Sequence, residues 1–314
     1  MIRIVTDSTC DLPDSVVDDH HIIVLPLYIN IGKMAYLDGV EMSRQVFYQQ
    51  LPTFNPHPTT AAPGTNVFRQ AYQRLAEVGA SQILSIHIAE TLSATVNIAR
   101  TAAKETTAVP VTVLDSGQLS LGMGFMVQTA AKAAAEGATM SEILHLLAEQ
   151  GRRTHVFAVI DTLTYLRRSG RMNGVIAGIG SLLRIKPLLK MHQGIAESER
   201  VRTLSTAYQR LVPFTEDIGD IEKRWSILML LPNEPKHCAN RRRTSCREER
   251  NPLSRHYARP GAHLNKRRWF CFHRRPPKEE TSGAGCTTIN ETVARFGIAY
   301  RINNSIYRGV SVYG

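Results

Sequence analysis

The chain has 314 residues, 43% hydrophobic and 21% charged, enough for two domains of ordinary size with real cores. That balance excludes a disordered or collagen-like chain. The greasiest stretch, 116–131, contains polar Gln118, Ser120 and Gln128 and falls short of the ~20 apolar residues a membrane-spanning helix needs, so no span is expected. Lys and Arg number 38 against 27 Asp and Glu, a formal +11, but the excess is local. Residues 234–280 hold 14 basic and 5 acidic side chains, a net +9. The opening MIRIVTDSTCD reaches Asp7 before any long apolar run. No secretory leader is expected, therefore, and a cytoplasmic location with reduced cysteines is.

In chain order, IRIVT (2–6), IIVLPLYI (22–29), ILSIHI (83–88) and VTVLDS (111–116) are short apolar runs of the kind that form buried parallel strands. Helical patterns at 43–51, 66–79, 93–107 and 119–136 alternate with them, which predicts an α/β unit with a parallel sheet between helices. A helix at 140–151 leads into HVFAVI (155–160), where a second α/β unit begins. It has further strands at LRIKPLL (183–189) and WSILMLL (225–231) and helices near 162–169, 173–182 and 206–216. The expected domains are 1–150, 151–232 with a mixed sheet and helices, and an atypical basic segment, 233–314. That last stretch, which includes NRRRTSCREER (240–250), has neither helical nor strand periodicity. It reads either as a basic surface extension or as sequence that no longer encodes the fold, as after a reading-frame error or recombination.

Five motifs carry chemistry. TDSTCDLP (6–13) places Asp7, Ser8 and Thr9 at the C-terminal end of a strand, where open α/β sheets bind ligands, although Asp11 before Pro13 also reads as a helix start. HPTTAAPG (57–64) is a proline-stiffened turn around Thr59 and Thr60. In IHIAETLSATVNIA (86–99), Ser93 falls at a helix N-cap, where backbone N–H groups favour an anion. LDSGQLSLGMG (114–124) includes Ser116 and the pair Gly122 and Gly124, which allow close helix packing. Its serine is one position off the GxSxG nucleophile elbow. YLRRSGRMNG and LLRIKPLL complete the set, and Gly178-Ile179-Gly180 follows no strand, so it is not a dinucleotide fingerprint. No Walker A, HExxH or CxxC pattern occurs, and no metal site or cofactor is expected.

Taken together in this order, with VLPLYINIG and YLDGVEMS (24–43) between them, these motifs resemble the DegV family over about residues 1–232. The resemblance implies two α/β domains with a long-chain fatty acid between them, its acyl chain in a tunnel of the second. It puts Thr60 and Ser93 on the ligand hydroxyls, with Asp7, Ser8, Ala94, Thr95, Ser116 and His263 around the head group. It further implies a non-catalytic role as the lipid-carrying subunit of a fatty acid kinase, with Arg202 in ERVRTLS at the partner interface. Ala61 stands where the family has serine, Ala94 where it has glycine, and only Gly261-Ala262-His263 resembles its closing G-x-H-x-G-P-G.

Two other functions compete. A serine hydrolase would use Ser93 with His87 as base, but His87 lies in a predicted strand and has no acidic orienter evident in the sequence. Nucleic-acid binding would use the basic residues 236–278 with Tyr257, Trp269, Phe270 and Phe272, where no known module is visible and none is expected to act.

Overall fold

The computed structural model describes residues 1–159, 164–170, 186–203, 206–207, 209–211, 221–232 and 264–274. Four strands, β1 (Ile2–Asp7), β2 (Ile23–Leu25), β6 (Gln82–His87) and β7 (Val111–Asp115), form a parallel sheet in the order β2-β1-β6-β7. Side chains alternate across it, and both faces are covered. Ile4, Leu84 and Ile86 pack on one side with α5 (Leu121–Ala135) and α6 (Met140–Arg153), through Met123, Val127 and Leu147. On the other, Val5 and Ile83 meet α3 (Thr65–Glu77) and α4 (Thr95–Glu105), through Phe68, Tyr72 and Ala99. A sheet buried on both faces needs continuous apolar runs, which is why these strands are legible in sequence.

The run at 22–29 divides. Pro26 has no N–H to donate, and the chain turns there from β2, in the parallel sheet, into β3 (Tyr28–Ile31). β3 is the middle strand of a three-stranded antiparallel sheet with β4 (Met34–Leu37) and β5 (Thr59–Ala61). The turn expected at PTTAAP therefore contains a short strand, with Thr60 opposite Ile29. Two short helices, α1 (Asp14–Asp19) and α2 (Arg44–Gln50), link these parts.

Among the described residues, the second unit is a five-stranded sheet. Its order is β10 (Ile195–Val201), β9 (Lys186–His192), β8 (Thr154–Val159), β12 (Leu264–Arg274) and β11 (Ile221–Pro232). All four pairings are antiparallel, where the sequence led us to expect a mixed sheet. α7 (Thr164–Arg168) follows β8. β12 corrects the reading of the basic segment. It forms eleven residues of strand and is hydrogen-bonded on both edges, to β8 and to β11. Ladder hydrogen bonds are made by the backbone, so an interior strand can form without an alternating pattern. The helix expected at 173–182 and the rest of 233–314 lie outside the described residues.

No described helix is long and apolar enough to cross a membrane.

Candidate functional site

In an open parallel sheet, the crevice opens where neighbouring strands send their connections in opposite directions. Here that point lies between β1 and β6, with β2 to one side and β7 to the other. A cleft of about 390 Å³ lies beyond it, between the two units. Leu27, Ile29, Ile88 and Leu119 form its wall on the first unit. Val156, Leu189, Met191 and Ala196 form the wall on the second. Phe47 and Tyr48 of α2 and Leu166 of α7 stand at the rim.

Thr60 and Ser93 both line this cleft. Thr60 is exposed on β5. Ser93 lies one residue before the N-cap of α4, which is Ala94, so the expected cap position shifts by one. The Ser93 hydroxyl still serves the helix end. It shares a hydrogen bond of 2.8 Å with Thr95 Oγ1 and accepts one from the Thr95 N–H at 3.4 Å.

Four of the other expected site residues, Asp7, Ser8, Thr95 and Ser116, are buried, with their polar atoms engaged inside the protein. Ser8 is buried; its hydroxyl donates to Asp38 at 2.7 Å and accepts from the Leu27 N–H at 3.1 Å. Thr95 is fully buried. Ser116 is buried and exchanges hydrogen bonds with Gln118. Ala94 is exposed. Asp7 is fully buried and accepts from the Thr9 N–H at 3.0 Å, the Thr9 hydroxyl and the Ile88 N–H at 3.2 Å. His263 lies outside the described residues. Arg202 is exposed just beyond β10.

Asp7 also holds His87. His87 Nδ1 lies 2.9 Å from Asp7 Oδ2, and Nε2 lies 2.7 Å from Ser85 Oγ, which accepts from the Tyr72 hydroxyl at 2.8 Å. All four side chains are fully buried. Burial works to raise the Asp7 pKa, but His87, Thr9 and Ile88 outweigh it and hold the carboxyl below the usual aspartate range. The stability Asp7 contributes is therefore present above the ordinary aspartate pKa and is lost as pH falls through the depressed folded value. His87 thus has the acidic orienter that the sequence did not reveal. Its other nitrogen, however, is hydrogen-bonded to buried Ser85, while the Ser93 hydroxyl bonds Thr95. The hydrolase arrangement, Ser93 against His87, is not the one formed.

Sequence reasoning missed the polar corner of the cleft. Arg44, the first residue of α2, binds the Asp11 carboxylate and the Ser8 carbonyl, and its Nε lies 3.5 Å from Asp38. Ser120 donates to Asp11 at 2.6 Å with its own backbone at φ 53°, ψ −140°. Non-glycine residues adopt such a conformation at a cost of about 1–3 kcal/mol, and it concentrates at functional sites. One positive charge faces two carboxylates here, so this corner does not attract a further anion. Cys10, beneath it, is pushed by burial up to about 12 and remains a thiol at neutral pH.

The hairpin between β9 and β10 closes the far end. The Gly194 N–H donates to the Gly117 carbonyl at 2.7 Å, and the Thr91 hydroxyl donates to the Gly194 carbonyl at 3.1 Å. Gly117 has φ +58°, and a Cβ there would lie 3.1 Å from the Gly194 nitrogen. Only glycine combines that φ with so close an approach. Among the described residues, no three His, Cys, Asp or Glu side chains are grouped as a metal ion would need.

A two-unit α/β protein with an apolar cleft at the switch point is the class this geometry defines. A family profile described as "Uncharacterised protein, DegV family" matches residues 1–262, and the chain belongs to the DegV family. A DegV domain-containing protein of Streptomyces coelicolor is 38% identical over 217 residues, covering 69% of this chain and 76% of that one. Among solved structures, one described as fatty acid binding of a DegV family protein from Thermus thermophilus superposes with a TM-score of 0.69 at 27% identity, covering 87% of this chain and 99% of that one. DegV of Bacillus subtilis, described as a fatty acid binding protein, superposes with a TM-score of 0.66 at 27% identity, covering 72% and 81%.

Proposed function

We propose that this protein binds a long-chain fatty acid in the cleft between its two units, with the carboxylate at Thr60 and Ser93. The observation that carries this reading is the pairing of those two hydroxyls with apolar walls drawn from both units. Burying ~14 methylenes at ~0.8 kcal/mol each supplies roughly 11 kcal/mol before the costs of association, so the head group needs only modest fixing. Arg44 is already committed to Asp11 and Asp38, and Lys190, which also lines the cleft, lies 3.9 Å from Glu199; the hydroxyls of Thr60 and Ser93 are the donors proposed for the carboxylate. A carboxylate held by hydroxyls keeps its charge and its nucleophilic oxygens. The finer reading follows from this: the protein is the non-catalytic, cytoplasmic carrier that presents the carboxylate to a fatty acid kinase catalytic subunit for phosphorylation.

Native mass spectrometry of the purified protein is expected to find one long-chain fatty acid per chain. Apo protein alone, even after lipid is added back, would overturn the reading. For the partner step, Arg202→Ala is expected to retain lipid and lose acyl phosphate formation when the catalytic subunit and ATP are supplied. Unchanged phosphorylation would remove Arg202 from the interface.

A further inference from the structure

We propose that His87 is a positioning residue for the head-group site, fixing through Asp7 the strand ends that carry Thr9 and Ser93 to the cleft. This rests on the carboxylate reading above.

The argument begins with placement. Asp7 is the last residue of β1 and His87 the last of β6, the two strands flanking the switch point. The chain leaving Asp7 reaches Thr9 within two residues, and the chain leaving His87 reaches Ser93 within six; both Thr9 and Ser93 line the cleft. The Asp7 carboxylate takes hydrogen bonds from both departures, Thr9 on one side and Ile88 on the other, and His87 holds its second oxygen. A third head-group element touches the same ring. Phe68 of α3 meets His87 edge to face, with centroids 5.2 Å apart and planes at 85°, and α3 follows directly on the Thr60 strand.

The chemistry has a direction. Tyr72, held protonated by burial with its pKa pushed up to about 12, donates to Ser85. The Ser85 proton is then free for Nε2, and Nδ1–H for Asp7. Each ring nitrogen of His87 is satisfied, which a buried polar network requires. Apolar side chains would fill this volume at no desolvation cost. What they would not supply is a fixed distance between two loops. Neither His87 nor Asp7 lines the cleft; they act through Thr9 and Ser93, which do.

The test compares affinities for palmitate and for hexadecanol, which share a chain and differ in the head group. In His87→Gln the amide reaches toward Ser85 and the Asp7 link is lost. The preference for the acid is expected to fall about tenfold, the worth of a single weakened hydrogen bond to a charged group. In His87→Asn the amide nitrogen takes the place of Nδ1, restores the link and rescues most of the preference. Leu147→Ala, in the core on the other face of the sheet and outside this network, is expected to lower the melting temperature and leave the preference intact. A preference unchanged in His87→Gln, or reduced as much in Leu147→Ala, would overturn the proposal. Should His87→Gln not fold, Asp7→Asn replaces it: the same volume, but one acceptor oxygen where the carboxylate has two, so the Thr9 N–H on one side and the Ile88 N–H and His87 on the other cannot all be served, and the same criterion applies. Failure of the unaltered protein to bind palmitate would instead overturn the proposed function.

Discussion

Gly124→Val is expected to leave little or no native protein. A Cβ at Gly124 would stand 2.6 Å from the Cys10 carbonyl oxygen and 3.1 Å from Leu12 Cδ2. The obstacle is backbone, and that backbone is fixed. The turn Ser8–Cys10 is held by Asp7, which accepts from the Thr9 N–H, and by Arg44 on the Ser8 carbonyl. Alanine in a helix interior gains about 1 kcal/mol over glycine, whereas overpacking a core costs about 1–3 kcal/mol or more. Gly124→Ala is therefore expected to destabilise in net, and valine, with two further methyl groups against Leu12, by several kcal/mol. Gly151, inside α6 with ordinary helical backbone and only Met126 Cε, at 3.9 Å, near its Cβ position, is the control. Thermal melts should rank Gly151→Ala well above Gly124→Ala, with Gly124→Val insoluble. Equal melting temperatures for the two alanine variants would show that α5 can shift away from the Cys10 turn.

Ser93→Ala is expected to weaken fatty acid binding by about one to two decades, the ~1.5–3 kcal/mol of a hydrogen bond to a charged group. It should weaken binding of the matching alcohol much less. A stability cost accompanies it, because fully buried Thr95 loses its 2.8 Å partner; melting temperature and affinity must be measured together. Equal losses for acid and alcohol would mean that Ser93 does not hold the carboxylate.

How far sequence reaches in this protein depends on separation along the chain. The parallel strands are legible because two covered faces demand unbroken apolar runs. Thr60 and Ser93 stand out only through the resemblance of their short motifs to those of the family; taken alone, one motif reads as a turn and the other as a helix cap. His87 reads as an isolated strand histidine, since its partner Asp7 is 80 residues away and no spacing rule links them. Arg44 is hidden for the same reason: its partner Asp11 lies 33 residues earlier. β5 is only three residues long, too short for any periodicity. β12 is missed for a different reason. Its run of Lys and Arg suggests solvent, yet its backbone groups satisfy neighbours on both sides.

The contact between Gly117 and Gly194 bears on how quickly cargo can leave. The contact consists of two hydrogen bonds to Gly194, one from its N–H to the Gly117 carbonyl and one from Thr91 to its carbonyl. Water replaces such bonds at about 1 kcal/mol net apiece. Parting the units at this hairpin is therefore a small step beside stripping an acyl chain from apolar walls. With a fatty acid in the cleft, as proposed above, residence time would be governed by the cargo: each methylene, at ~0.8 kcal/mol, would lengthen it about fourfold. Such a cleft would sort lipids by dwell time, retaining long chains and shedding short ones to solution.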